Sequence, residues 1–140
     1  GYSRSQIMAI RPGGEGVVTD SHVAWRYHRS GAPEKPSLLL VDDLLYMVDD
    51  KGGLATCLDA KTGAEIWSER LGGNYSASPL FADGRIHFFS EEGKTTTIAP
   101  GREFKKLTVN TLPAGFMASP AVAGKALFLR TKTHIYRIEK

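Results

Sequence analysis

The sequence repeats itself. Asn74-Tyr75-Ser76-Ala77-Ser78-Pro79 returns as Gly115-Phe116-Met117-Ala118-Ser119-Pro120, 41 positions later. A β-rich run broken by a tight turn follows each copy, over residues 80–90 and 121–130. The turns Asp42-Asp43, Asp83-Gly84 and Gly124-Lys125 keep the same step, with Asp43, Gly84 and Gly124 spaced 41 and 40 apart. Each turn separates two short runs rich in β-forming residues, as a two-residue hairpin loop requires. Chains with this period are built from copies of one small unit that cannot bury its apolar face alone.

A second turn and a third strand follow each hairpin. Leu58, Ile98 and Ile138 mark the third strand at spacings of 40 and 40. Ile10 fits the same slot 48 residues before Leu58, so this repeat carries an insertion of eight, sought in Pro12-Gly13-Gly14-Glu15-Gly16 and the residues up to Ser21. Trp25 and Trp67 mark a fourth strand, with a weaker version over 104–109. Four short strands every 40 residues is the pattern of a β-propeller blade. The fold expected is all-β, a partial β-propeller of about three four-stranded antiparallel blades. Residues 1–140 form one propeller fragment: 1–31 supply strands three and four of a partial blade, 36–72 and 77–112 are blades, and 118–140 are an incomplete last blade. The chain is too short to close a ring. No segment has a helical period, and 31–36 read as an inter-blade loop.

Composition narrows the function classes. A net charge of +3 is too small to imply nucleic acid. The sharpest basic cluster, Arg130, Lys132, His134, Arg137 and Lys140, alternates along a strand and reads as a solvated face. No apolar run approaches the roughly 20 residues that span a bilayer. The single cysteine, Cys57, has no intrachain partner and reads as a small buried hydrophobe. His22, His28, His87 and His134 are scattered, without the spacing of a zinc site. Asp42-Asp43 and Asp49-Asp50 read as solvated turns, not as a calcium loop. No catalytic residue, cofactor site or metal site is expected.

The most specific local pattern is Cys57-Leu58-Asp59-Ala60-Lys61-Thr62-Gly63-Ala64-Glu65-Ile66-Trp67. Asp59 and Thr62 can accept backbone hydrogen bonds in the turn, and Gly63 supplies its unusual φ. Trp67 then lies on the next strand, its face free to pack on a neighbouring blade, with Trp25 in the same place one repeat earlier. Asp59, Thr62, Gly63, Trp67 and Trp25 are therefore expected as structural blade-docking residues. The pattern resembles the docking signature of the pyrroloquinoline-quinone-like β-propeller repeat family, Ala-x-Asp-x-x-Thr-Gly-x-x-x-Trp, with Cys57 where alanine is usual. The resemblance covers roughly residues 7–140 and implies the C-terminal part of a larger bacterial propeller protein.

The resemblance implies two functions. The first is a non-catalytic scaffold that binds a protein or small ligand on its face or axis. The alternative is part of a quinone-dependent dehydrogenase whose cofactor ligands lie outside this chain. Family members that hold the quinone do so with an adjacent cysteine pair and a tryptophan on the axis; this chain lacks the pair, and both its tryptophans are in docking slots. A periplasmic or secreted location is implied by the same resemblance. The 13–21 insertion is the first place to look for a binding loop. Incomplete end blades leave bare strand edges and uncovered faces, so self-association is expected, with Lys132, Arg137 and Lys140 as the residues that would blunt the last edge.

Overall fold

The computed structural model describes residues 5–29 and 31–139; residues 1–4, 30 and 140, which fall in the first and last expected units, lie outside it. Thirteen strands form four antiparallel sheets, and the described residues contain no helix. β1 (Ile7–Ile10) pairs with β2 (Val23–Tyr27). β3 (Leu39–Val41), β4 (Leu44–Val48), β5 (Leu54–Asp59) and β6 (Glu65–Arg70) make the first four-stranded sheet, in chain order. β7 (Leu80–Ala82), β8 (Arg85–Phe89), β9 (Lys94–Ala99) and β10 (Lys105–Thr111) make the second. β11 (Ala121–Ala123), β12 (Ala126–Arg130) and β13 (Ile135–Glu139) make a sheet of three. The architecture is that of a partial β-propeller. No helix is long and apolar enough to cross a membrane.

The hairpin turns set the register. Val41 pairs with Leu44, Ala82 with Arg85 and Ala123 with Ala126, each across a two-residue loop. Asp42 and Asp83 sit at φ 52° and 51°, a left-handed conformation that aspartate tolerates better than most residues.

The central strands are buried on both faces. Leu44, Tyr46 and Val48 of β4 join a core with Ile86, Phe88 and Ile98 of the following sheet. Leu45 and Met47, pointing the other way, pack with Tyr27 and Trp25 of the preceding sheet. A third core joins Phe89 of β8 to Phe116, Leu129 and Tyr136. A strand buried on both sides loses its apolar–polar alternation, which is why Leu44-Leu45-Tyr46-Met47-Val48 reads as one apolar run. The two four-stranded sheets meet at their first strands, β3 against β7.

The slot marked by Ile10, Leu58, Ile98 and Ile138 faces the preceding sheet. Leu58 and Ile98 are fully buried there. Ile10 is 59% exposed, because no described sheet precedes β1, and Ile138 is 48% exposed.

The repeated Ala-Ser-Pro has a physical role. The Ser37 N–H donates to Ser78 Oγ at 2.9 Å, and the Ser78 N–H donates to Ser119 Oγ at 2.9 Å. Each serine thus ties its strand-one entry to the entry one repeat earlier. At the same edge the linkers lie on the second turns. The Glu91 N–H donates to Asn74 O at 2.8 Å, Leu112 N–H to Gly93 O at 2.9 Å and Phe116 N–H to Ser90 O at 3.2 Å.

Candidate functional site

The Cys57–Trp67 pattern folds as the turn between β5 and β6. Asp59 Oδ1 accepts from the backbone N–H groups of Lys61 and Thr62, both at 3.1 Å, and from the Thr62 hydroxyl at 3.0 Å. The Ala64 N–H donates to Thr62 Oγ1 at 3.3 Å, and the Gly63 N–H to Asp59 O at 2.8 Å. Gly63 has φ 72°, and a Cβ on it would lie 2.6 Å from the Trp25 ring. A glycine is required twice over, for its backbone angle and for the indole that rests on it.

That indole belongs to the preceding sheet. Trp25 Nε1 donates to Ala60 O at 3.0 Å, across the seam. Trp67 makes the same contact one repeat later, donating to Gly101 O at 3.1 Å. The Trp67 ring meets Tyr46 at 5.9 Å and takes the edge of Phe104 at 5.2 Å. The Tyr46 hydroxyl accepts from the Gly101 N–H at 2.8 Å. Both indoles are half-buried, lying at the seam's rim with the polar end satisfied. Asp59, Thr62, Gly63 and Trp25 thus meet at one seam. Trp67 lies at the next, to which the Arg102 guanidinium links Asp59 Oδ2 at 3.5 Å.

A shared β-bulge aims the tryptophans. The ladder slips between Ala9 and Ile10, Cys57 and Leu58, and Lys106 and Thr108. Trp25 therefore stands opposite Ala9, Trp67 opposite Cys57 and Thr108 opposite Thr97. Phe104, placed by sequence at the start of a fourth strand, precedes β10 and covers Trp67 instead.

The ionisable groups here serve structure. Burial pushes the Cys57 thiol up to about 11 and the Tyr46 phenol up to about 12, so neither is a nucleophile near neutral pH. Asp43 pairs with Lys61 at 3.2 Å. Asp49 Oδ1 accepts from the Leu54 N–H, and Asp50 accepts from the N–H groups of Glu34 and Lys35. Asp49 thus holds its own turn, Asp50 ties the inter-sheet loop to it, and Asp43 is held by a lysine.

The hydrogen bonds from Thr62, side chain first and then backbone, hold the Asp59 carboxyl below the usual aspartate value, with Lys61 and Arg102 adding to them. A depressed folded-state pKa gives stability that is complete above the unfolded value, about 4, and is lost as pH falls through the folded value. Asp59→Asn should therefore melt below the parent at pH 7, and the two melting curves should converge on acidification towards pH 2. A gap that stays constant with pH would show that the carboxylate charge is irrelevant to the turn.

The insertion occupies the turn between β1 and β2. The Ser21 and His22 N–H groups donate to Val18 O, and the Arg11 N–H to His22 O at 2.8 Å. Val17 at its tip is 94% exposed. This turn is the counterpart of the β5–β6 turn, whose Ala60 N–H donates to Asp43 O. The insertion thus extends the edge of the molecule that carries the first and third turns of each unit.

These seams match known proteins. The sequence matches the family described as outer membrane protein assembly factor BamB over residues 19–102, more than half of its length. The chain belongs to this family. BamB from Moraxella catarrhalis is similar in structure, at 16% identity and a TM-score of 0.67, over 84% of this chain and 36% of that one. A europium-containing methanol dehydrogenase is similar at 14% identity and a TM-score of 0.58, over 76% of this chain and 21% of that one. A quinohemoprotein alcohol dehydrogenase from Pseudomonas putida HK5 is similar at 13% identity and a TM-score of 0.55, over 68% and 16%. At these identities the likeness is one of fold. The chain spans about a third of the BamB structure. No curated protein matches the chain. The BamB-like family and the quinoprotein-like dehydrogenases share the propeller frame, which agrees with the resemblance carried by the docking signature.

Proposed function

We propose that this chain is a non-catalytic propeller module that holds a protein partner on its loop-bearing edge and associates with a second copy through its open sheet edges. One observation carries the reading. The residues of the most specific motif are spent on sheet-to-sheet docking, with both indole N–H groups bound to carbonyls of the following sheet. What the motif leaves free is the 11–22 loop, with an exposed valine at its tip. The family description, an outer membrane protein assembly factor, is of a protein that serves the assembly of others, in keeping with such a role.

Self-association rests on the strands at the two ends. Among the described residues β1 pairs only with β2, and β13 only with β12, so each presents an unpaired edge there. Ile10 and Ile135 beside those edges are 59% and 74% exposed. Bare edges with apolar flanks recruit another strand unless charge blunts them. Arg137 and Lys132 are the blunting groups on the β13 side, and Arg137 is partly neutralised by Glu139. Light scattering at micromolar concentration should give a mass near twice that of the 15.3 kDa chain. Ile135→Lys should return it to monomer. A well-folded monomer at high concentration would remove self-association from the proposal.

A further inference from the structure

The repeats allow one seam to be compared with the next, position by position. Between the two four-stranded sheets, Tyr46 on the second strand and Trp67 on the fourth fill the seam, and Phe104 closes over them. At the following seam the same register places carry His87 and Thr108: both stand opposite Thr97, as Tyr46 and Trp67 stand opposite Cys57. Ala82 replaces Val41 and Arg85 replaces Leu44 in the hairpin. Two aromatic rings and two aliphatic groups give way to smaller or polar ones.

Three of these places, Ala82, Arg85 and His87, line a cavity of about 550 Å³ between the β7–β8 hairpin and the last sheet. This is within the range of small-molecule sites. Leu127 and its cross-strand partner Ile138 form an apolar wall, which explains the exposure of Ile138. His87 forms a facing wall. Its Nδ1 is 3.0 Å from Thr97 Oγ1, and burial keeps the imidazole below the usual histidine range, so the ring is uncharged near neutral pH. Four charged groups also line the space. Glu139 is paired with Arg137, and Asp83 is not free. Arg85 and Lys125 make no hydrogen bond or ion pair among the described residues. The unspent charge is positive.

We infer that this inter-sheet cavity binds a flat aromatic molecule of indole to naphthalene size that carries an anionic group. The ring lies beside His87, the counterpart of Tyr46 one seam earlier, between that imidazole and the Leu127–Ile138 wall. The anion meets Arg85 and Lys125. This goes beyond the proposed function: no residue of the tryptophan seams or the 11–22 loop takes part, and only Ile138 and Glu139 lie on β13, the strand offered for self-association.

The test is a titration of the 140-residue chain with indole-3-acetate, read by calorimetry and by the methyl resonances of Leu127 and Ile138. A ligand of this size should bind once per chain, with a Kd on the order of 0.1–1 mM. Uncharged indole should bind roughly tenfold more weakly, and cationic tryptamine more weakly still. The double variant Arg85→Gln, Lys125→Gln should lose about tenfold in affinity with an unchanged melting temperature. Thr108→Trp, which puts an indole beside His87, and Ala82→Leu, which fills the hairpin wall, should each abolish binding while the protein melts no lower. The inference is overturned by no saturable shift at millimolar indole-3-acetate, by equal binding of tryptamine, or by binding that survives both filling variants. It is also overturned if the Leu127 and Ile138 signals move with protein concentration and not with ligand, which would assign the cavity to a second copy.

Discussion

Replacing Trp67 with alanine should lower the stability of this chain by on the order of 3 kcal/mol and its melting temperature by roughly 10 °C. Three losses combine. The indole leaves a hole between Tyr46 and Phe104, whose rings it touches at 5.9 and 5.2 Å. Its N–H no longer reaches Gly101 O across the seam. Phe104, held outside any strand, loses the surface it covers. Trp67→Phe separates these effects: it keeps most of the ring contact, gives up the hydrogen bond, and should cost about 1 kcal/mol. Thermal melts of the three proteins decide it. An alanine variant that melts with the parent would mean that the sheets are held without the tryptophan seam.

Gly115→Ala should be comparably damaging, on the order of 3 kcal/mol, on the opposite face of the sheets. Gly115 sits at φ 66°, and a Cβ there would fall on the carbonyl oxygen of Glu91, well inside van der Waals contact. Both partners are backbone, so neither can step aside. The linker would have to lift from the turn beneath it, breaking the Phe116 N–H bond to Ser90 O and the edge contact of Phe116 with Phe89, whose centroids are 5.6 Å apart. Gly84→Ala is the matched control. It also has positive φ, 68°, but a Cβ there meets nothing within 4 Å. It should cost only the backbone term, about 1 kcal/mol. Denaturant midpoints of the two variants compare them directly, and equal midpoints would show that the close approach at Glu91 carries no weight.

The parts of this fold that were legible in the sequence are those fixed by local rules. The turns Asp42-Asp43, Asp83-Gly84 and Gly124-Lys125 lie where two-residue hairpins form, and the third-strand spacing follows from the same units. Burial was legible where a neighbour exists on both sides, as at Leu58 and Ile98. It was not legible at Ile10 and Ile138, because their exposure depends on what the facing sheet supplies. The same limit applies to the motif. The Asp59–Thr62–Gly63 turn is local and could be read from residue types. That Gly63 is the floor under Trp25, and that Trp67 donates to Gly101 O, depend on chain 34 to 38 residues away. The role of the serines of Ala-Ser-Pro was not legible, because their hydrogen bonds span 41 residues; only the repeated spacing hinted at them. The fourth strand expected over 104–109 forms as β10, over Lys105–Thr111. The bulge is the same as in the other ladders, so the tryptophan slot falls on Thr108, opposite Thr97, and Phe104 lies before the strand.

The central claim is that tryptophans reaching across successive seams lock these sheets into a propeller arc. The most direct test is solution NMR of the two indole N–H protons in the unmodified chain. Both should exchange slowly with solvent. The Trp67 ring should show strong nuclear Overhauser contacts to Phe104 and Gly101, and the Trp25 ring to Gly63 and Ala60. Indole protons that exchange within the dead time and show contacts only within their own strands would contradict the account.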